Sequence, residues 1–176
     1  MDALAAGHDA AVQIIDTSIA RVHQHGACIS DNNHQAVGRS RGGLTSKIHA
    51  VVDTNGLPVH LALTPGEAHD SRLCSVLLSA FLPQRSYSRI VDTTRTGSGS
   101  LPASKEHGRA LRRNEVAKTL SASALYRSRN LIERFFNKIK QCRRVATRYD
   151  KLAANYLAFV KLASIGIWLR ANESTS

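Results

Sequence analysis

The sequence predicts an α/β fold, a mixed sheet flanked by helices with a helix pair at its C-terminal end, and three observations carry that expectation. A β-branched run lies near the start, two apolar runs flank an Asn-Gly pair, and the C-terminal part repeats apolar side chains at helical spacing.

The first run, Val12 to Ile19 (VQIIDTSI), suits a central strand better than a helix, and a single acid, Asp16, interrupts it. A carboxylate in such a strand is costly to bury without a purpose. From His23 to Gly43 the pattern is polar, Gly-containing and basic, which reads as a loop whose Arg39 and Arg41, with Lys47 just beyond, could meet phosphate. The runs Lys47 to Asp53 and Leu57 to Thr64 then form an antiparallel hairpin through Thr54, Asn55 and Gly56. His69-Asp70-Ser71 resembles a helix start, and Leu73, Val76, Leu77, Ala80 and Phe81 keep helical spacing until Pro83. Ser88 to Asp92 is a brief strand ending in a second acid. Thr93 to Ser123 is poorly patterned, with a short helix around Lys105 to Leu111 as its one candidate element. The plainest helix is Leu125 to Thr147, with Ile132, Phe135, Phe136, Ile139 and Cys142 on one stripe, and a second runs from about Lys151 to Ala171. Its stretch Leu152 to Leu169 is apolar but holds Lys161 and Asn155, so it reads as a buried core helix and not a membrane span. The expected organisation is a poorly ordered start at 1–11, one domain at 12–171 and a tail at 172–176.

The chain has 176 residues, enough to bury a core as one domain, and a formal net charge of +11, which favours a polyanionic partner, nucleic acid first. Basic faces are also common on proteins with no such partner. Three scattered cysteines and an N-terminus without a signal-like apolar core fit a reduced cytoplasmic protein.

On an ideal helix, Tyr126, Arg129, Glu133 and Lys140 fall at roughly 60°, 0°, 40° and 20°, one narrow face beside the apolar stripe. An acid among groups that bind phosphate suits phosphoryl transfer, where a carboxylate holds a metal ion and the cations position the backbone. The plain alternative is an exposed face with an Arg-to-Glu pair at i, i+4.

The order Tyr, two residues, Arg, three residues, Glu, six residues, Lys, complete here as YRSRNLIERFFNKIK, resembles the signature around the third acid of insertion-sequence DDE transposases. IDTS at Ile15 to Ser18 resembles that family's first-acid strand. GRSRGGLTSKIHAVVD and LTPGEAHDS resemble the segments after it, and Asn130 to Arg170 resembles the family's C-terminal end. The likeness spans about Ile14 to Arg170 and is weakest between Thr93 and Leu120. It implies a ribonuclease H-like fold with Asp16, Asp92 and Glu133 as catalytic, metal-holding acids. It also implies two magnesium ions, with manganese as substitute, and DNA held by Tyr126, Arg129, Lys140, Arg39, Arg41 and Lys47. The expected activity is DNA cleavage and strand transfer at insertion-sequence ends, by a homo-oligomer acting at the bacterial nucleoid. Thr93-Thr94-Arg95-Thr96-Gly97 departs from the family's usual Lys or Arg and Tyr-Asp after the second acid, and the first acid arrives early, as in an N-terminally truncated copy. The alternative is therefore an inactive remnant that binds DNA without catalysis. A nuclease that cuts without joining would share the triad.

The remaining candidates read as structure. His23 and His25 have no nearby Cys or acid cluster and suit a surface role. His69-Asp70 fits a supporting role at the site or a helix cap equally well. Tyr156, Phe159 and Trp168 suit the core, and Gly97 and Gly99 form no phosphate loop.

Overall fold

The computed structural model describes residues 12–27, 34–68, 89–92 and 122–173, with 12–13, 89–92 and 122–128 described by backbone alone. The expected helix after His69, the segment 93–121 and the tail from 174 lie outside the described residues. The architecture is mixed α/β. Six strands, β1 (Val12–Val22), β2 (Gly38–Ser40), β3 (Gly43–Val52), β4 (Pro58–Pro65), β5 (Arg89–Asp92) and β6 (Thr147–Arg148), share one sheet. The α-helices among the described residues are α1 (Ala122–Lys140), α2 (Arg143–Ala146) and α3 (Ala153–Glu173).

β1 is the strand around which the sheet is arranged. It pairs antiparallel with β3 along one edge, Ile14 opposite Val52 and Arg21 opposite Thr45. Its other edge is shared by two parallel strands in tandem: β5 takes Val12 to Ile15 and β6 takes Arg21 and Val22. Among the described residues, Asp16 to Ala20 therefore have a strand partner on one side only.

Alternation along β1 and β3 sends Ile14, Ala20, Ile48, Ala50 and Val52 to the helix side, where they meet Ile132, Phe135 and Ile139 of α1, Val145 of α2, and Tyr156 and Val160 of α3. On the opposite face Ile15, His49 and Val51 are buried as well. Burial on both faces explains why these strands read as nearly continuous apolar runs.

The Asn-Gly hairpin forms as expected. Gly56 has φ +76°, and the buried Asp53 carboxylate accepts from the Asn55 and Leu57 amides at 2.9 and 2.8 Å, which closes the turn on itself.

Three expectations are corrected. The supposed loop from His23 to Gly43 contains a 3-10 turn at Gln24–Gly26 and the strand β2, which folds onto β3 through Arg41 and Gly42. A three-residue strand with no apolar alternation leaves no periodic signal. The single helix expected from Leu125 to Thr147 ends at Lys140, Cys142 turns extended, and the chain re-forms as α2 and β6. The cause is Arg148, fully buried, whose guanidinium donates to the Asp150 and Lys151 carbonyls at 2.8 Å each and to Ser46 Oγ at 2.9 Å. With the helix broken there, Cys142 leaves the apolar stripe and is exposed.

The third correction concerns α3, which buries one side only. Tyr156, Val160, Ser164 and Trp168, four residues apart, face the core, whereas Leu162 is 64% exposed. Tyr156 and Trp168 are core residues as expected, the first donating to the Val145 carbonyl at 2.7 Å and the second to the Pro58 carbonyl at 2.9 Å. Phe159 is half-buried beneath the Arg144 guanidinium. Trp168→Phe is expected to cost about 1–3 kcal/mol in urea unfolding, because the buried Pro58 carbonyl loses its donor. No helix among the described residues is long and apolar enough to cross a membrane.

Candidate active site

Asp16 occupies the helix-facing side of β1, on the same alternation as Ile14 and Ser18. It is half-buried, and its Oδ1 accepts from the Thr17 amide at 2.8 Å. Asp92 is the last residue of β5, and its backbone lies opposite Ile15, one position from Asp16. Two acid-bearing positions thus meet where β5 stops and the open edge of β1 begins. The carboxyl ends of parallel strands are a recurrent place for ligands in α/β sheets.

α1 supplies the third acid. Glu133 Oε1 accepts from Arg129 Nε at 2.8 Å, and both side chains are about half exposed, so the pair contributes only a few tenths of a kcal/mol. Two turns later Lys140 reaches β1, donating from Nζ to Ser18 Oγ at 2.6 Å and to the Ile19 carbonyl at 2.9 Å. Partial burial lowers its pKa below the ordinary lysine range. The middle of α1 lies over the hairpin, where a Cβ at Gly56 would sit 3.4 Å from Leu131 Cδ2. Since that hairpin follows Val52, the partner of Ile14, α1 runs along β1 in the same sense.

Behind Asp16, on the other face, Thr17 Oγ1 and His49 Nδ1 are 3.0 Å apart, and His49 Nε2 is 2.7 Å from Thr64 Oγ1. This polar line, centred on the buried His49, ties β1 to β3 and β4 at the level of the acid.

The structure therefore brings Asp16 and the face of α1 bearing Arg129, Glu133 and Lys140 to one side of the sheet, with the Asp92 backbone in the neighbouring strand opposite Ile15. Tyr126 lies on α1 and is described by backbone. Three other expected phosphate contacts stand apart. Arg39 and Arg41 are exposed at the β2–β3 turn, on the margin of the sheet opposite β5. Lys47 projects from the other face and donates to the Ala68 carbonyl at 2.7 Å. His23 and His25 pack ring to ring at 4.8 Å, with Tyr149 4.9 Å from His23. Among the described residues no three His, Cys, Asp or Glu side chains are grouped to hold a metal; the Asp92 side chain is outside that description.

Two partners of this site escaped the sequence reading, Ser18 and the Ile19 carbonyl. Alternation alone would have put Ser18 on the face of Asp16, but nothing in the sequence signals that a lysine more than a hundred residues later would reach it.

The sequence matches the family described as Transposase DDE domain over residues 7–165. It is 34% identical over 144 residues, 72% of this chain and 100% of the relative, to a protein of Brucella ovis described as "Putative transposase for insertion sequence element IS6501". No solved structure matches. The chain belongs to the transposase DDE domain family, and DNA transposition is that family's general activity.

Proposed function

We propose that residues 12–171 form a ribonuclease H-like catalytic domain that cleaves and transfers DNA strands at insertion-sequence ends, with Asp16, Asp92 and Glu133 as its acids. The observation that carries this reading is the convergence of two acid-bearing strands, β1 and β5, beneath a helix that carries the third acid and is tied to β1 by Lys140.

The donor set fits a hard divalent cation. All three groups are carboxylates, they come from separate elements, and among the described residues Asp16 has a strand partner on one side only. Magnesium, or manganese in its place, would be held by Asp16, Asp92 and Glu133 and would supply Lewis acidity for phosphoryl transfer. The chain's own contribution is positional. The Thr17 amide donates to one Asp16 oxygen and orients the carboxylate. Arg129 steadies the Glu133 carboxylate and can exchange that ion pair for a DNA phosphate once the acid is engaged. The basic surface of α1 attracts the DNA backbone by counterion release. DNA ends and target DNA are the partners, and a homo-oligomer at the nucleoid is the working form.

The unusual segment after Asp92 favours a second reading, a copy that binds DNA without catalysis. Nicking of supercoiled DNA separates the two. The catalytic reading expects nicking in magnesium, none in EDTA, and about a 10³-fold loss in Glu133→Gln, the scale of removing one transition-state stabiliser. DNA binding without nicking under any divalent ion supports the second reading.

A further inference from the structure

We propose that His49 is a positioning residue: from the face of the sheet opposite Asp16 it clasps the Thr17 hydroxyl, and this clasp fixes the strand register on which the placement of Asp16 depends. The inference rests on the role proposed above for Asp16 and assigns His49 no contact with metal or DNA.

His49 is 1% exposed and stands beside the buried Ile15 and Val51 on one face of the sheet. Packing alone asks for no imidazole there, because an apolar pair of the same shape in place of two hydrogen-bonded partners can be nearly neutral for stability. The imidazole instead spans three strands. It lies opposite Thr17 of β1, with Nδ1 3.0 Å from Thr17 Oγ1, and its Nε2 is 2.7 Å from Oγ1 of Thr64, a diagonal neighbour on β4. A neutral imidazole donates at one nitrogen and accepts at the other, and a hydroxyl can answer either, so both tautomers complete the line.

Thr17 joins this line to the site. Its hydroxyl meets His49 on one face, and its amide donates to Asp16 Oδ1 at 2.8 Å. From Asp16 to Ala20, β3 is the strand partner among the described residues, so the β1–β3 register sets where Asp16 stands along the sheet. Apolar packing selects that register weakly. A slip of two residues keeps every side chain on its own face, and the helix-side residues of β3 that would exchange places, Ile48, Ala50 and Val52, are all apolar. The same slip would bring Ile15 or Ile19 opposite His49 and take the Thr17 hydroxyl away from the buried imidazole, the costly outcome for a buried polar group. It would also displace Asp16 by about 6.6 Å relative to β3, far beyond the misplacement of about 1 Å that already impairs a catalytic constellation.

The test uses the full chain with Thr17→Val, Thr17→Ser, His49→Leu and the Thr17→Val/His49→Leu double variant, at a temperature where circular dichroism finds them folded. Single-turnover nicking is measured at saturating DNA, with DNA affinity without metal and urea unfolding on the same preparations. A clasp predicts nicking slower by about tenfold or more in Thr17→Val and in His49→Leu, with DNA affinity within about threefold of the parent. It also predicts a double variant no slower than the slower single variant, and recovery of most of the rate in Thr17→Ser, which keeps the hydroxyl. Variants that lose stability yet nick at the parental rate make His49 a structural residue only and overturn the proposal. So do rate losses that multiply in the double variant, a Thr17→Ser as slow as Thr17→Val, or a larger fall in DNA affinity, which marks this face as a DNA contact. If His49→Leu does not fold, Thr17→Val against Thr17→Ser decides: a slow valine variant with a recovered serine variant supports the clasp, and equal rates overturn it. If the parent chain nicks in neither magnesium nor manganese, the proposed function falls by itself and the clasp is judged by amide hydrogen exchange. Exchange faster by about tenfold or more in His49→Leu at the β1 amides paired with β3 upholds the clasp, and exchange at the parental rate overturns it.

Discussion

Replacing Asp16 with Asn is expected to slow nicking of supercoiled DNA by about 10³-fold or more, while DNA affinity stays within about threefold. The amide keeps the shape of the carboxylate but not its charge, so the one anionic ligand offered by the central strand disappears. The same substitution is expected to leave folding stability unchanged or to raise it. Asp16 is a half-buried carboxylate on the face of β1 that carries Ile14 and Ala20, and the Thr17 amide that donates to it bonds equally well to an amide oxygen. Lost activity combined with retained or increased stability is the signature of a residue kept for function at a cost to the fold. If Asp16→Asn instead unfolds the chain, the acid is structural and its place in the triad is lost. Nicking assays and urea unfolding on one preparation read both quantities.

Arg148→Met is expected to have the largest effect on folding, about 3 kcal/mol or more, a substantial fraction of a typical domain's stability. The arginine is fully buried and stacks its guanidinium over Tyr156. It serves acceptors from three parts of the chain: Ser46 on β3, the Ala36 carbonyl before β2, and the Asp150 and Lys151 carbonyls before α3. Methionine fills much of the volume and serves none of them, which leaves several buried oxygens without this donor. Because Arg148 also pairs beside Val22 through β6, its loss would loosen the join between β6 and β1. A cost below about 1 kcal/mol in urea unfolding would show that the burial of Arg148 is incidental.

Much of this architecture was legible because periodicity and turn chemistry act locally. β1, the hairpin of β3 and β4, β5 and the two long helices all announce themselves in patterns of a few residues. The apolar stripe Ile132, Phe135, Phe136 and Ile139 is buried as its spacing requires. What stayed hidden depends on long-range pairing. RRVATR continues a good helical pattern, and only the buried seat for Arg148 explains why the helix stops before it. β2 is too short to show alternation, and it exists because Gly43, at φ +99°, lets the chain reverse onto β3.

The site divides along the same line. Asp16 stood out as an acid in an apolar strand, and Glu133 with Arg129 stood out by helical spacing. Which cations face the acids could not be read from charge. Lys47 alternates to the far face, and Arg39 in β2 and Arg41 in the turn after it lie at the opposite margin, because sheet order and not sequence proximity decides which side chains meet.

The most direct measurement is calorimetric titration of manganese into the purified chain and into its Asp16→Asn, Asp92→Asn and Glu133→Gln variants, with nicking of supercoiled DNA followed on the same samples. The account predicts that the parent chain binds the ion and nicks DNA, and that each substitution weakens binding and abolishes nicking without unfolding the protein. A parent chain that binds DNA but takes up no manganese would contradict it.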